Sequence, residues 1–183
     1  MVEIVERHSL PPYWKGRLLL AVAPTINMDR MEWLVEKATE VGMDGFIPLH
    51  CRFSERKEIK RERLEKTAVS AMKQSLKALL PVVEEMTPFA RFIDKYKELP
   101  GKFIAHCVDD GQRHLLAEEY RPGEDSVILI GPGGDFSQEE IRMALDAGFR
   151  PVSLGDARLR TETAALTALQ TFHIAAQLKA TAG

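Results

Sequence analysis

Three charged groups of complementary chemistry, Arg158, Arg160 and Glu162, fall within the run Gly155-Asp156-Ala157-Arg158-Leu159-Arg160-Thr161-Glu162-Thr163. A guanidinium can steady negative charge that develops on a bound oxygen, and a carboxylate can accept a proton. The plain alternative is a helix start, in which Glu162 favours the N-terminal dipole and Arg160 pairs with it. Upstream, Gly131-Pro132-Gly133-Gly134-Asp135-Phe136 leaves backbone N–H groups open to close approach by a ligand.

Both runs need elements that hold them. Val127-Ile128-Leu129-Ile130 is short, apolar and rich in β-branched residues, the pattern of a strand buried in a parallel sheet. Ser137 with Glu140 three residues on forms a capping box, which predicts a helix to about Ala147 with Gly148 ending it. Pro151-Val152-Ser153-Leu154 reads as a second strand, and an Ala/Leu-rich helix is expected from about Thr163 or Ala164. Loops that follow parallel strands emerge at the carboxyl edge, where open α/β folds bind ligands, so the two runs are expected to face one site.

GPGGDFS, followed after an interval by SLGDARLRTETA, resembles the signature of the RsmE family of small-subunit ribosomal RNA uracil-N3 methyltransferases, members of the SPOUT superfamily. LAVAPTINMDRMEWLVEKATEVGMDGFIPLHCRFSER and AMKQSLKALLP are similar to further stretches of that family, so the likeness runs from Leu18 to Gln177. The resemblance implies an α/β fold, a parallel sheet flanked by helices with a C-terminal trefoil knot. It also implies S-adenosylmethionine as cofactor, 16S ribosomal RNA of the small subunit as partner and a homodimer, while two widely spaced cysteines, read as reduced thiols, and the lack of a long apolar run give a cytoplasmic location as the expectation. By the same resemblance the cofactor would meet His106, Leu129, Ile130, Gly131, Gly134, Leu154, Gly155, Leu159 and Thr161. Glu162 would be the base that takes the uracil N3 proton, Arg160 would steady the uracil oxygens, and Arg158 would assist or hold phosphate. The chain departs from the family pattern at Gly133, where a Glu is usual, at Asp135, where a Gly often stands, and at Ala157, where an Arg is usual.

The remaining chain agrees with one domain. At 183 residues it can bury roughly 70% of its unfolded surface without a metal or disulfide. Cys51 and Cys107 form no metal-ligand spacing, and no apolar run approaches the ~20 residues of a membrane helix. Residues 1–15 are expected to be the remnant of an N-terminal PUA-like barrel or a linker, and residues 16–183 the SPOUT methyltransferase domain. Net charge is −2, yet Cys51 to Lys77 holds nine Lys/Arg against four Glu. That local excess suits phosphate contact on an otherwise acidic chain, with Arg52, Arg56, Lys57, Lys73, Gln74 and Lys77 as candidate RNA ligands. Simple solvation of a helix face is the other reading.

Arg17 to Pro24 suits a first strand, Asp29 with Glu32 a helix start and Gly42 its end, and Phe46 to Leu49 a second strand. Lys60 to Leu80 reads as one long helix with Leu64, Ala68, Ala71, Met72, Leu76 and Leu79 on a stripe, followed by a short strand at Pro81-Val82-Val83. Phe103 to Cys107 reads as the next strand, ending at Asp109-Asp110-Gly111 in what the resemblance makes the first of three cofactor loops. Two rival functions carry less. A dinucleotide oxidoreductase needs a third glycine where Phe136 stands. A non-catalytic RNA-binding or assembly protein on the same fold accommodates Gly133 and Ala157.

Overall fold

The computed structural model describes residues 3–8, 12, 15–108 and 113–181. In chain order the elements are β1 (Leu18–Val22), α1 (Met28–Val41), β2 (Gly45–His50), α2 (Arg61–Gln74), β3 (Val82–Val83), β4 (Thr87–Pro88), α3 (Phe89–Tyr96), β5 (Gly101–Ala105), β6 (His114–Leu115), α4 (Leu116–Glu119), β7 (Ser126–Ile130), α5 (Gln138–Asp146), β8 (Arg150–Ser153) and α6 (Thr161–Thr181). The strands form one parallel sheet in the order β3-β2-β1-β7-β5-β8-β6, with β4 also paired to β2. This is the parallel sheet flanked by helices that the alternation of strand and helix patterns foretold.

Side-chain alternation along β1 explains the two-sided core. Leu18, Leu20 and Val22 join Met31, Leu34, Phe46, Phe103, Ile128, Leu169 and Phe172 on the side of α1, α2, α4 and α6. Leu19 and Ala21 face Ile47, Phe92, Ile104, Leu129, Phe136 and Ile141 on the side of α3 and α5. A strand buried on both faces can be apolar throughout, and Leu18 to Val22 is.

The shared sheet holds as expected, with β5 lying between β7 and β8 and pairing with both. Several boundaries differ from the sequence reading. The helix expected from Lys60 to Leu80 ends at Gln74, and Leu76 takes a left-handed φ of +55°. Leu64, Ala68 and Ala71 are buried, whereas Leu76 and Leu79 of the expected stripe are exposed. α1 is capped by Asn27, whose side chain accepts from the Asp29 N–H, rather than by Asp29 itself. Gly42 ends α1 at φ +117°, as its position suggested. α6 starts at Thr161, two or three residues early. Of the expected barrel remnant or linker, residues 3–8 are exposed and carry no strand, and most of residues 9–14 lie outside the described residues, as do Asp109, Asp110 and Gly111.

Candidate active site

Because the strands are parallel, the segments after β1, β2, β5, β7 and β8 all emerge at the same edge of the sheet. Two hydrogen bonds tie three of these loops together, and both end on the glycine turn after β7. The backbone N–H of Cys107, beyond β5, donates to Asp135 Oδ2 at 2.8 Å. The Thr161 hydroxyl, at the start of α6, donates to the Gly131 carbonyl at 3.2 Å. β5 sits between β7 and β8, so the turn at 131–136 and the run at 154–160 flank the 106–108 segment on either side.

The glycines of this edge answer different needs. A Cβ on Gly131 would come within 3.1 Å of the Phe136 ring, a tight contact that the ring would have to relieve by a few tenths of an ångström. Among the described residues no atom stands within 4 Å of a Cβ placed on Gly133, and Phe53 Cβ approaches one on Gly134 at 4.0 Å. Gly155 is equally open, with φ +110°. Among the described residues the backbone at Gly133, Gly134 and Gly155 is thus uncovered on one side, which suits a ligand that binds through main-chain groups. Below the turn, Ser137 and Glu140 form the foreseen reciprocal capping box. Glu140 does more than the spacing could tell: while Oε2 accepts from Ser137 N at 2.9 Å, Oε1 accepts from Arg52 N at 2.7 Å, fastening the loop after β2 to α5.

The structure sorts the candidate cofactor residues into rim and interior. Gly131, Gly134, Gly155 and Leu159 lie on the edge, with Leu154 partly buried against the α1 and α6 core. His106 is buried just past β5, and Ile130 closes β7 with its carbonyl accepting from Ala23 N at 3.0 Å. Leu129 is not brought to the rim. It lies within β7, paired to Ala21 on one side and Ile104 on the other, with its side chain fully buried. Thr161 is buried and acts as the tie to Gly131 rather than as an open group.

The charged groups also part company. Arg158 and Arg160 are exposed, and their guanidinium groups have no hydrogen-bond or ion-pair partner among the described residues, while the Arg160 carbonyl accepts from Ala164 N at 2.7 Å. Glu162 is turned inward to 7% exposure, and its ion-pair partner is Arg30 of α1, with Nε 3.6 Å from Oε1. The helix-start pairing with Arg160 is therefore replaced by a contact across 132 sequence positions, for which no local signal exists. Glu162 Oε2 is buried without a hydrogen-bond partner among the described residues. Arg30, Glu162, Asp29, Trp33 and Thr163 line a cleft of about 310 Å³ between α1 and α6.

The basic cluster splits into two groups. Arg52 and Lys57 are exposed on the loop after β2, beside the glycine turn, and Arg56 secures that loop by donating to the carbonyls of Thr25, at 3.2 Å, and Ile26. Lys73 and Gln74 end α2, and Lys77 follows. α2 runs back against the strands for about 20 Å, so these three sit at the amino edge. Lys77 shares a small hollow there with Gly42 and Asp44. Cys51 is buried, and burial together with the nearby Glu140 carboxylate pushes its thiol up. Among the described residues no helix is long and apolar enough to cross a membrane, and no cluster has the composition to hold a metal ion.

Comparison with known proteins agrees with this geometry. Residues 14–173 match the family model of the RNA methyltransferase domain. The Ribosomal RNA small subunit methyltransferase E of Rickettsia conorii is 30% identical over 159 residues, which cover 86% of this chain and 64% of that protein, so the chain spans slightly under two thirds of that relative's length. A Porphyromonas gingivalis structure described as a probable rRNA-methyltransferase superposes with a TM-score of 0.87 at 46% identity, covering 94% of this chain and 73% of that one. The Neisseria gonorrhoeae Ribosomal RNA small subunit methyltransferase E, solved with S-adenosyl methionine, gives a TM-score of 0.76 at 26% identity over 87% of this chain and 66% of that one. With a parallel sheet whose glycine turn and Arg/Thr/Glu run meet at one edge, the chain belongs to the RNA methyltransferase family, in the group of the small-subunit ribosomal RNA methyltransferases E.

Proposed function

We propose that this chain binds S-adenosylmethionine at the carboxyl edge of the sheet and methylates N3 of a uridine in 16S ribosomal RNA of the small ribosomal subunit. The observation that carries the reading is the backbone of Gly133, Gly134 and Gly155, uncovered on one side among the described residues, on loops already tied together around the 106–108 segment. Those positions fit the adenosine and methionine parts of the cofactor through main-chain donors and acceptors, and Leu154 and Leu159 supply apolar contact. When bound, the cofactor supplies a methyl group that is already activated.

The chain's own groups then have to orient the base and manage its proton. Arg160 stands exposed at the mouth of α6, where its guanidinium can hold the uracil oxygens and favour loss of the N3 proton. Glu162 takes that proton, using the carboxylate that Arg30 keeps in place. Arg158 holds a flanking phosphate. Arg52, Arg56 and Lys57 extend the phosphate contact next to the site, and Lys73, Gln74 and Lys77 reach RNA along α2. A homodimer completes the assembly, supported by the exposed apolar residues Ile174 and Leu178 on α6. A C-terminal knot and a cytoplasmic location belong to the same reading.

Small ribosomal subunits lacking the modification, incubated with the chain and methyl-labelled S-adenosylmethionine, test it. Label in 16S RNA at N3 of one uridine is the expected result. A chain that binds the cofactor and the subunit yet transfers no label would favour the non-catalytic RNA-binding reading.

A further inference from the structure

We propose that Asp135 is a positioning residue for the cofactor loops: its carboxylate latches the segment after β5 onto the glycine turn and so sets cofactor affinity. The inference rests on the reading that S-adenosylmethionine binds at this edge. Pairing of β5 with β7 ends at Ala105 and Ile130, so the Cys107 N–H, two residues further, has left the ladder. That donor is exposed and water could serve it, yet it donates to Asp135 Oδ2 at 2.8 Å, which joins the segment to the turn.

The turn is built to aim that carboxylate. Asp135 N–H donates to the Pro132 carbonyl at 2.9 Å, closing a tight turn through Gly133 and Gly134. Asp135 itself takes a left-handed φ of +71°. Among residues with a Cβ, Asp and Asn enter that region most readily. Gly133 and Gly134 have no side chains to reach across, which leaves Asp135 as the turn's link to the 106–108 segment among the described residues. Thr161 holds the opposite end of the turn through Gly131. His106, Cys107 and Val108 are thereby ordered before any ligand arrives, and a preordered loop spares the binding step the cost of ordering it.

Three variants separate the latch from the backbone strain. Asp135→Asn keeps an acceptor oxygen and tolerance of the left-handed conformation, Asp135→Gly relaxes the backbone but removes the acceptor, and Asp135→Ala loses both. Each is compared with the wild-type chain by calorimetric titration of S-adenosylmethionine and by amide hydrogen exchange over residues 103–108 without ligand.

The expected result is that Asp135→Asn binds within about threefold of wild type. Asp135→Gly, though folded with wild-type circular dichroism, binds on the order of tenfold more weakly, the size of one lost hydrogen bond to a charged group, and exchanges the Cys107 amide faster. Unchanged affinity and exchange in Asp135→Gly overturn the proposal. Equal losses in Asp135→Asn and Asp135→Gly also overturn it, since they would mean that the negative charge meets the cofactor directly. A wild-type chain that binds no cofactor defeats the cofactor reading instead, and the exchange measurement then still decides whether Asp135 holds the loop.

Discussion

Arg30 Nε lies 3.6 Å from Glu162 Oε1, joining α1 to the first turn of α6 across the cleft that Trp33 also lines. The Glu162 side chain is only 9% exposed while that of Arg30 is 43% exposed, so the carboxylate depends on the pair more than the guanidinium does. Removing the cation with Arg30→Ala should cost about 1–2 kcal/mol of unfolding free energy, below the figure for a fully buried pair because Arg30 still meets water. Glu162→Gln should cost less stability but lower turnover by at least ~100-fold, the usual loss for a proton-transfer group. Urea denaturation and methyl-transfer rates read the two effects separately, and wild-type turnover in Glu162→Gln would remove the base assignment.

Among the described residues the Arg158 and Arg160 side chains make no hydrogen bond or ion pair, and the Arg160 bond to Ala164 N uses only its backbone carbonyl. Arg160→Ala should therefore leave stability and cofactor affinity within about twofold of wild type while lowering kcat by roughly 100-fold, in line with the loss of one charge-stabilising donor. Arg160→Lys should recover little of that loss, because a point charge does not replace a planar fork. Arg158→Ala should act mainly on RNA affinity. Single-turnover rates at saturating RNA distinguish these outcomes.

The two basic groups should differ in what they control. Alanine at Arg52 and Lys57 is expected to weaken RNA binding and reduce the slope of log affinity against log salt by roughly 0.7–0.9 for each phosphate contact removed. It should also slow transfer, because this loop is fastened to α5 beside the glycine turn. Alanine at Lys73 and Lys77, at the amino edge, should weaken binding without changing the rate at saturating RNA. Filter binding at several salt concentrations gives the slopes, and an unchanged slope in either pair would remove that pair from the RNA surface.

Acid stability should report on the start of β1. Arg17 donates from Nε and Nη2 to Asp125 Oδ2 at 2.9 and 2.7 Å, and its backbone N–H donates to Oδ1 at 2.8 Å. The side-chain hydrogen bond from Arg17, with its backbone bond and charge, holds the Asp125 carboxyl below the usual carboxylate range. A depressed folded-state value means that the folded protein binds this proton less readily than the unfolded chain. The contribution is thus fully present above the unfolded value, about 3.9, and is lost as pH falls through the lower folded value. The wild-type melting temperature should exceed that of Asp125→Asn at pH 6, and the gap should narrow as pH falls below the unfolded value of about 3.9.

Local chemistry made much of this legible. Ser137 and Glu140 announce their capping box by spacing alone, Gly42 announces the end of α1, and the apolar run at Val127 to Ile130 announces a central strand. Long-range pairing is what the sequence withholds. Nothing near Val127 or Val152 reveals that β5 enters between their strands, and Arg30 gives no local sign that it will meet Glu162. α3 escaped notice although Phe89, Phe92 and Ile93 pack into the core, because the run is only two turns long and begins directly after Pro88. The overlong reading of α2 has a similar cause: Leu76 and Leu79 continue the helical period, but both are exposed and the chain turns away at the left-handed Leu76. At the candidate edge the residue types were readable, whereas their division into exposed Arg158 and Arg160 and inward Glu162 and Thr161 required the true start of α6.

Calorimetric titration of S-adenosylmethionine into the wild-type chain and into an Arg160→Ala, Glu162→Ala double variant tests the central claim most directly. The account predicts micromolar binding to both, because the glycine turn and the loops tied to it hold the cofactor while Arg160 and Glu162 serve the base. Absence of binding to the wild-type chain would contradict the cofactor site, and binding abolished in a still-folded double variant would contradict the division of labour between loops and charged groups.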